Sequence, residues 1–468
     1  MNFLRTRHDF HRSILREYDI RGIVGETLSE TDAYFIGQAF ATIVAGETLT
    51  KPRICVAYDG RLSSPALEEA VVEGAKKAGA EVIRVGRGPT PMLYFAVNYL
   101  VADGGIMITG SHNPPSHNGF KMMIGRKPFF ADQIQEIGRI SAAGALRSAA
   151  GSVREAALFD TYVNRLLIDA ADLTDMRIGW DAGNGAAGEV MTALTGKLSG
   201  YHVLLNEKID GTFPAHHPDP TEPQNLIQIQ EAVRQQNLDI GIAFDGDGDR
   251  IGAVDGNGRI VWGDQLLALL ARDVLMDRPG ATIIADVKAS QVLFDDVARH
   301  GGKPLMWRTG HSLIKTKMAE TGCPLAGEMS GHIFFADRYY GFDDALYAAI
   351  RLLGAIKRFG GTLATLRDEL PTMINTPELR IDCAEERKFQ VVDEVRSRLA
   401  ARGATFDDID GVRVKSDLGW WLLRASNTQA VLVARVEAAD QAALSELMRE
   451  MAVELAASAI DFQTPAHH

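Results

Sequence analysis

Four short stretches carry residues whose types and spacing suit chemistry. In Thr109-Gly-Ser-His-Asn-Pro-Pro115, the apolar run before it (Ile106 to Ile108) reads as a buried strand, and Ser111 lies on the loop that leaves it. Asn113, Pro114 and Pro115 exclude helix and predict an extended backbone presenting one hydroxyl rigidly at the strand end. A serine-capped polar turn would explain an arbitrary Gly-Ser pair. With His112 adjacent and Lys121 ten residues on, a chemical role is the better expectation.

The second stretch, Asp245-Gly-Asp247-Gly-Asp249-Arg250, alternates carboxylates along a loop that glycine allows to turn tightly. Such carboxylates converge on one hard cation, and Mg²⁺ suits a site with few protein ligands that shares a phosphate oxygen. An EF-hand also begins Asp-x-Asp-x-Asp, but it needs Gly sixth and Glu twelfth, where this chain has Arg250 and Gly256. A solvated acidic turn is disfavoured because three carboxylates at this spacing repel unless something neutralises them.

The third, Gly327-Glu328-Met-Ser330-Gly-His332, alternates a carboxylate and a hydroxyl on what reads as an extended segment, so both point one way. That pair suits vicinal sugar hydroxyls, and His332 titrates near neutral pH; a capped turn with a core histidine is the competing reading. Lys288, Arg308 and His311 add donors upstream. The fourth, Arg424-Ala-Ser426-Asn427-Thr428, offers a guanidinium, two hydroxyls and an amide on a turn, a set that fits a tetrahedral phosphate but is also plain turn composition. Near the N-terminus Tyr18 and Arg21 form a donor pair that alone reads as surface.

The elements that must position these loops repeat. Arg53–Asp59, Arg177–Asp181 and Thr282–Asp286 each read as a strand ending in Asp, followed by a helix, a second strand and a strand leading into a loop. Those loops are the ones at Ser111, Asp245 and Glu328. The pattern predicts three related α/β/α sandwiches with mixed, mostly parallel sheets, whose loops face one central cleft. After Pro371 short strands and two helices predict a smaller α+β domain. The expected domains are 1–156, 157–262, 263–374 and 375–468, carrying respectively the serine loop, the acidic loop, the Glu-Ser-His loop and the Arg-Ser-Asn-Thr loop. Gly183-Asn-Gly-Ala-Ala-Gly188 matches a dinucleotide-binding fingerprint, with Glu207 about 20 residues on. The sister units make the same turn without glycines, so it reads as architectural.

A chain of 468 residues needs several cores. Its 46% hydrophobic and 24% charged residues are those of an ordinary soluble protein. A formal charge of −12 argues against nucleic acid or an anionic membrane as partner, and an anionic substrate then needs local cations or a metal. Three scattered cysteines suit buried thiols in a reducing compartment. Met1–Arg16 has no signal-peptide core, and no apolar run approaches about 18 residues, so the cytoplasm is the expected location.

Together the four motifs, in this order and at these separations, resemble the α-D-phosphohexomutase family through the whole chain. The resemblance implies interconversion of the 1- and 6-phosphates of mannose and of glucose through a phosphoserine and a hexose 1,6-bisphosphate. It implies small hexose phosphates as the only partners, and a monomer or weak homo-oligomer. Ser111 would carry the phosphate and ligate Mg²⁺ with Asp245, Asp247 and Asp249. Lys121 and Arg21 would neutralise the transferring group, and His311 and His332 would stand near the reacting hydroxyl. Arg250, Glu328 and Ser330 would hold the sugar, joined by Tyr18, Lys288, Arg308 and Gly310. Arg424, Ser426, Asn427 and Thr428 would hold the phosphate that does not react. Two departures stand out: Gln429-Ala430 where the family often has proline after the phosphate loop, and Met329 where the phosphoglucosamine branch usually has Gln, which disfavours the alternative activity, phosphoglucosamine mutase.

Overall fold

The structure, a computed structural model, describes residues 6–48, 51–427 and 429–462. Its first three sheets share one topology. The first unit contains β1 (Arg53–Tyr58), β2 (Glu81–Arg87), β3 (Gly104–Ile108) and β4 (His117–Ile124). The second contains β5 (Arg177–Asp181), β6 (Tyr201–Leu205), β7 (Ile240–Phe244) and β8 (Ile251–Asp255). The third contains β9 (Thr282–Asp286), β10 (Lys303–Trp307), β11 (Leu325–Gly327) and β12 (Ile333–Phe335). In each, the first strand is central, the second and third flank it in parallel, and the fourth adds antiparallel to the third, giving β4-β3-β1-β2, β8-β7-β5-β6 and β12-β11-β9-β10.

Central strands such as Ile54, Cys55, Val56 and Ala57 are apolar on both faces because helices cover both. One helix follows each first strand: Ser64–Lys77, Gly188–Thr195 and Gln291–Arg299. The last starts on Ser290, whose side chain accepts from Val292 N. Apolar side chains of all three units merge into one large core cluster, so the units are packed as a body. Cys55, Cys323 and Cys383 are buried free thiols, and no described helix is long and apolar enough to cross a membrane.

The repeated strand-end aspartates have a clear task. Asp59 Oδ2 accepts from Gly110 N at 3.1 Å, and Asp286 Oδ1 accepts from Met329 N at 3.0 Å. Each thus ties the end of the central strand to the loop that leaves the third strand. Asp181 accepts from Gly183 N within its own turn. The dinucleotide-like glycines there are filled by the protein's own backbone: a Cβ on Gly188 would lie 2.0 Å from Glu207 O, and one on Gly185 would lie 2.9 Å from Gly246 O.

The fourth sheet is antiparallel, with long strands Val412–Ser416, Gly419–Ala425 and Val431–Ala438 side by side and helices Lys388–Ala401 and Gln441–Ala457 against it. This is the expected α+β arrangement.

Candidate active site

The Ser111, Asp245 and Glu328 loops occupy the same place in the repeat, the turn between the parallel third strand and the antiparallel fourth. They meet backbone to backbone. A Cβ on Gly246 would lie 2.4 Å from Ser111 O, and Ile251 N donates to Gly331 O at 3.0 Å.

The serine loop is a tight turn rather than the extended segment expected from its prolines. Asn113 N donates to Gly110 O, and Ser111 itself has φ +49°, in the left-handed region that a residue with a Cβ seldom adopts. Pro114 and Pro115 do exclude helix, but the reversal happens before them. It brings Ser111 Oγ to 3.2 Å of Asp245 Oδ2 and 3.1 Å of His112 Nδ1. His112 bonds to no carboxylate among the described residues, so no serine-hydrolase relay is assembled.

Asp245, Asp247 and Asp249 are wholly buried, and one oxygen from each lies within 4.8 Å of the others. Asp247 Oδ2 is saturated by Lys121 Nζ at 2.7 Å, Thr90 Oγ1 at 2.5 Å and Thr109 Oγ1 at 3.2 Å. Among the described residues its Oδ1 accepts no hydrogen bond, and Asp249 Oδ1 has only His332 Nε2 near it, at 3.2 Å. Burial, reinforced by Asp249 and Asp247, pushes Asp245 well above the usual carboxylate range. Against the desolvation of its own burial, Lys121 and then His332 hold Asp249 well below that range. Three buried carboxylates, one with an oxygen that accepts no hydrogen bond among the described residues, are unfavourable unless a further cation joins Lys121 and His332. The donor set is all oxygen, which fits a small hard divalent ion.

Across the cleft the Glu-Ser-His segment is likewise a turn, with Gly331 N donating to Glu328 O, not the extended strand expected. Gly331, with φ +87°, permits it. Glu328 and Ser330 still converge, because His332 sits between them: Nδ1 donates to Glu328 Oε2 at 2.8 Å and lies 3.2 Å from Ser330 Oγ. Gly310 N donates to the other Glu328 oxygen at 2.7 Å. His332 Nε2 faces Asp249 Oδ1 and Arg250 Nε, both at 3.2 Å. Burial opposes its charge, but Asp249 and Glu328 prevail and raise it to about 9. His311 opens the helix His311–Thr321, its ring 5.6 Å from that of His332. Burial, then the charges of Lys315 and His332, hold His311 well below 6.5 and therefore neutral.

Tyr18 and Arg21, a pair that alone reads as surface but that the resemblance puts at the site, line the cleft. Arg21 Nη1 donates to Asn113 Oδ1 at 3.0 Å, and its other amino group pairs with Asp19. Tyr18 Oη donates to Thr309 O at 3.0 Å and accepts from Asn427 Nδ2 at 2.5 Å. Arg424 Nε pairs with Asp410 at 3.0 Å, and Asp410 also accepts from Thr309 N. The fourth domain is thereby tied to the first and third across the cleft mouth. Ser426 Oγ accepts from Gln429 N, and Thr428 lies outside the described residues. Arg308 is exposed and hydrogen-bonds to nothing among the described residues.

Lys288 is committed to Glu378 at 3.0 Å. Lys288 holds the Glu378 carboxylate at about 2. A folded pKa below the unfolded one gives stability that is present above about pH 4.3 and lost as pH falls toward 2. Wild-type melting temperature is therefore expected to fall more steeply between pH 5 and 3 than that of Glu378→Gln, on the order of 1–3 kcal/mol before solvent screening. Parallel melting curves would show that the pair contributes nothing.

Sequence reasoning passed over Thr90, Thr109, Lys315, Asp343 and Asp410. Asp343 is fully buried, 3.6 Å from His311 Nδ1 and 2.9 Å from Lys315 Nζ. The only available signal was the doublet Asp343-Asp344 in an apolar context, where carboxylates are seldom left without a partner.

Comparison with known proteins agrees with this geometry. Four phosphoglucomutase/phosphomannomutase profiles match in order: alpha/beta/alpha domain I over residues 12–147, domain II over 157–258, domain III over 262–374 and the C-terminal domain over 378–454. A phosphomannomutase/phosphoglucomutase of Pseudomonas putida is 44% identical over 97% of both chains. A phosphoglucomutase of Neisseria meningitidis is 44% identical over 94% of this chain and 96% of its own. The crystal structure of a phosphoglucomutase/phosphomannomutase family protein from Burkholderia thailandensis superposes with a TM-score of 0.91 at 42% identity, covering 98% of this chain and all of that one. With the same four domains in the same order and a cleft built from loops that each unit contributes, the chain belongs to the phosphoglucomutase/phosphomannomutase family.

Proposed function

We propose that this enzyme moves a phosphoryl group reversibly between O1 and O6 of a hexose, interconverting mannose 1- and 6-phosphate and glucose 1- and 6-phosphate. The observation that carries the reading is Ser111 Oγ at 3.2 Å from Asp245, in a cluster of three buried carboxylates whose oxygens lie within 4.8 Å of one another. A phosphate of about −1.5 to −2 charges on Ser111 needs a divalent cation there. Held by Asp245, Asp247, Asp249 and that phosphate, Mg²⁺ would supply positive charge to the oxygens of the transferring group.

The residues of the chain do the rest. The Ser111 Oγ–P bond breaks as a P–O bond forms to the free hydroxyl of a hexose monophosphate. The hydroxyl's proton leaves to a base, and neutral His311 is suited to accept it. Lys121 and Arg21 offset charge on the moving group. The resulting hexose 1,6-bisphosphate reorients. Its other sugar O–P bond then breaks as Ser111 Oγ, left as an oxyanion by the first transfer, forms a new Oγ–P bond, and the protonated base returns its proton to the freed sugar oxygen. Arg424, Ser426 and Asn427, with Thr428 and Tyr18, hold whichever phosphate is idle. Glu328, Ser330 and Arg250 grip O3 and O4 in both poses. Such a grip is blind to C2, where glucose and mannose differ, and the double name of the Pseudomonas putida relative supports that reading. The ties from Asn427 to Tyr18 and from Thr309 to Asp410 support a cleft closed against water, which competes for the phosphoserine. Three buried thiols suit a reducing cytoplasm.

Assays on mannose, glucose and glucosamine 1-phosphates test this. Mannose and glucose substrates are expected to agree in kcat/KM within about tenfold, since an ungripped hydroxyl is worth little discrimination, with glucosamine 1-phosphate slower. Inorganic phosphate released in step with substrate loss would mean a phosphatase instead.

A further inference from the structure

Arg61 has no place in the chemistry above, yet it is among the most enclosed charged groups in the protein, 1% exposed. Its hydrogen bonds run to one loop. Nη2 donates to Ser111 O at 2.7 Å and Asn113 O at 2.6 Å; Nη1 donates to Pro114 O at 2.6 Å and His117 O at 3.0 Å. Nε and the backbone N of Arg61 both bond to Asp59, whose carboxylate also holds Gly110 N and Ser64 Oγ. One planar fork therefore collects four carbonyls of the serine loop from inside.

We infer that Arg61 is the positioning residue that holds Ser111 in its left-handed conformation and so aims its Oγ at the metal loop. This inference rests on the reading of Ser111 as the phosphate carrier. A serine at φ +49° is strained and persists only where its surroundings over-determine it. With its carbonyl drawn inward to Arg61, Oγ projects outward toward Asp245. Through Asn113, whose carbonyl binds Arg61 and whose side chain binds Arg21, the same fork fixes the cation that faces the transferring phosphate. Gly110 is required at its position: a Cβ there would lie 2.4 Å from the Arg61 guanidinium carbon.

The second domain completes the clamp. Phe213, itself left-handed at φ +50°, sets its ring 5.2 Å from the Arg61 guanidinium carbon, and a Cβ on Gly211 would lie 2.6 Å from Arg61 Cα. The domain that carries the metal loop thus also presses on the group that shapes the serine loop. Lysine cannot replace Arg61, since an ammonium lacks the planar fork that spans four carbonyls.

The test is single-turnover transfer from phosphorylated enzyme to glucose 1-phosphate, breaking Ser111 Oγ–P and forming sugar O–P, with calorimetric Kd for the same sugar measured alongside. Arg61→Met is expected to slow transfer by about 10²-fold, the effect of ångström-scale misplacement, and Arg61→Lys by roughly tenfold, each with Kd within about threefold of wild type. Phe213→Leu, which leaves every Arg61 hydrogen bond in place, is expected to slow transfer only about two- to fivefold. Should the methionine variant fail to fold, the lysine variant decides. Transfer at wild-type rate in the folded Arg61 variants, or loss of rate and Kd together, overturns the inference. If wild-type Ser111 holds no transferable phosphoryl group, both this inference and the reading beneath it fall. If wild type transfers and the variants match it, only Arg61's role falls.

Discussion

Ser111→Ala is expected to lose turnover by roughly 10⁴-fold or more, the scale of losing a covalent nucleophile, while still binding hexose phosphates. The residue is 2% exposed, and its Oγ is the only atom removed. The four carbonyl bonds from Arg61, the Thr109 hydroxyl on Ser111 N and the Arg424–Asp410 tie involve other atoms and remain. A calorimetric Kd for glucose 1-phosphate within a few-fold of wild type, with no detectable mutase rate, is the expected pair of results. Turnover near wild type would remove Ser111 from the chemistry.

Removal of the divalent cation is expected to have the second largest effect. In the metal-free protein Lys121 pairs with Asp247 and Asp249 and His332 faces Asp249, yet burial with like charge still drives Asp245 upward. Chelation should abolish turnover, and Mg²⁺ should restore it and raise the melting temperature, because a ligand of the native state stabilises it in proportion to RT ln(1 + [L]/Kd). Asp247→Asn puts an amide where the unpartnered Oδ1 stands and removes one charge from the site. The expectation is a 10²- to 10³-fold lower kcat and a higher Mg²⁺ requirement, on the order of a lost charge-stabilising contact. Without metal, however, this variant should melt no lower than wild type, since a repelling charge has gone. Full activity after exhaustive chelation, or a metal-free variant much less stable than metal-free wild type, would mean the triad is structural.

The pieces legible in the sequence were those with local signatures. Strands ending at Asp59, Asp181 and Asp286 announced three related units, because a buried run stopping at a carboxylate followed by a helical pattern is a short-range signal. The loops at Ser111, Asp245 and Glu328 followed from it, and the shared strand order puts all three at the same turn. Local backbone reversal was not legible: Ser111 turns left-handed against its own propensity because Arg61, fifty residues away, holds its carbonyl. Glu328 to Ser330 likewise reads as extended from alternation, yet the turn is enforced by Gly331 and by Asp286 on Met329 N. Partners were the least legible. Thr90 reaches Asp247 across 157 residues, Tyr18 reaches Asn427 across 409, and Lys288 is committed to Glu378. Such contacts leave no pattern in either neighbourhood.

Intact-mass analysis of the purified protein, before and after excess hexose monophosphate, tests the central claim most directly. The account predicts a species one HPO₃ heavier, mapping to Ser111, depleted as the sugar bisphosphate appears and absent from Ser111→Ala. A fully active enzyme that never carries the adduct, or one that carries it at another residue, would contradict it.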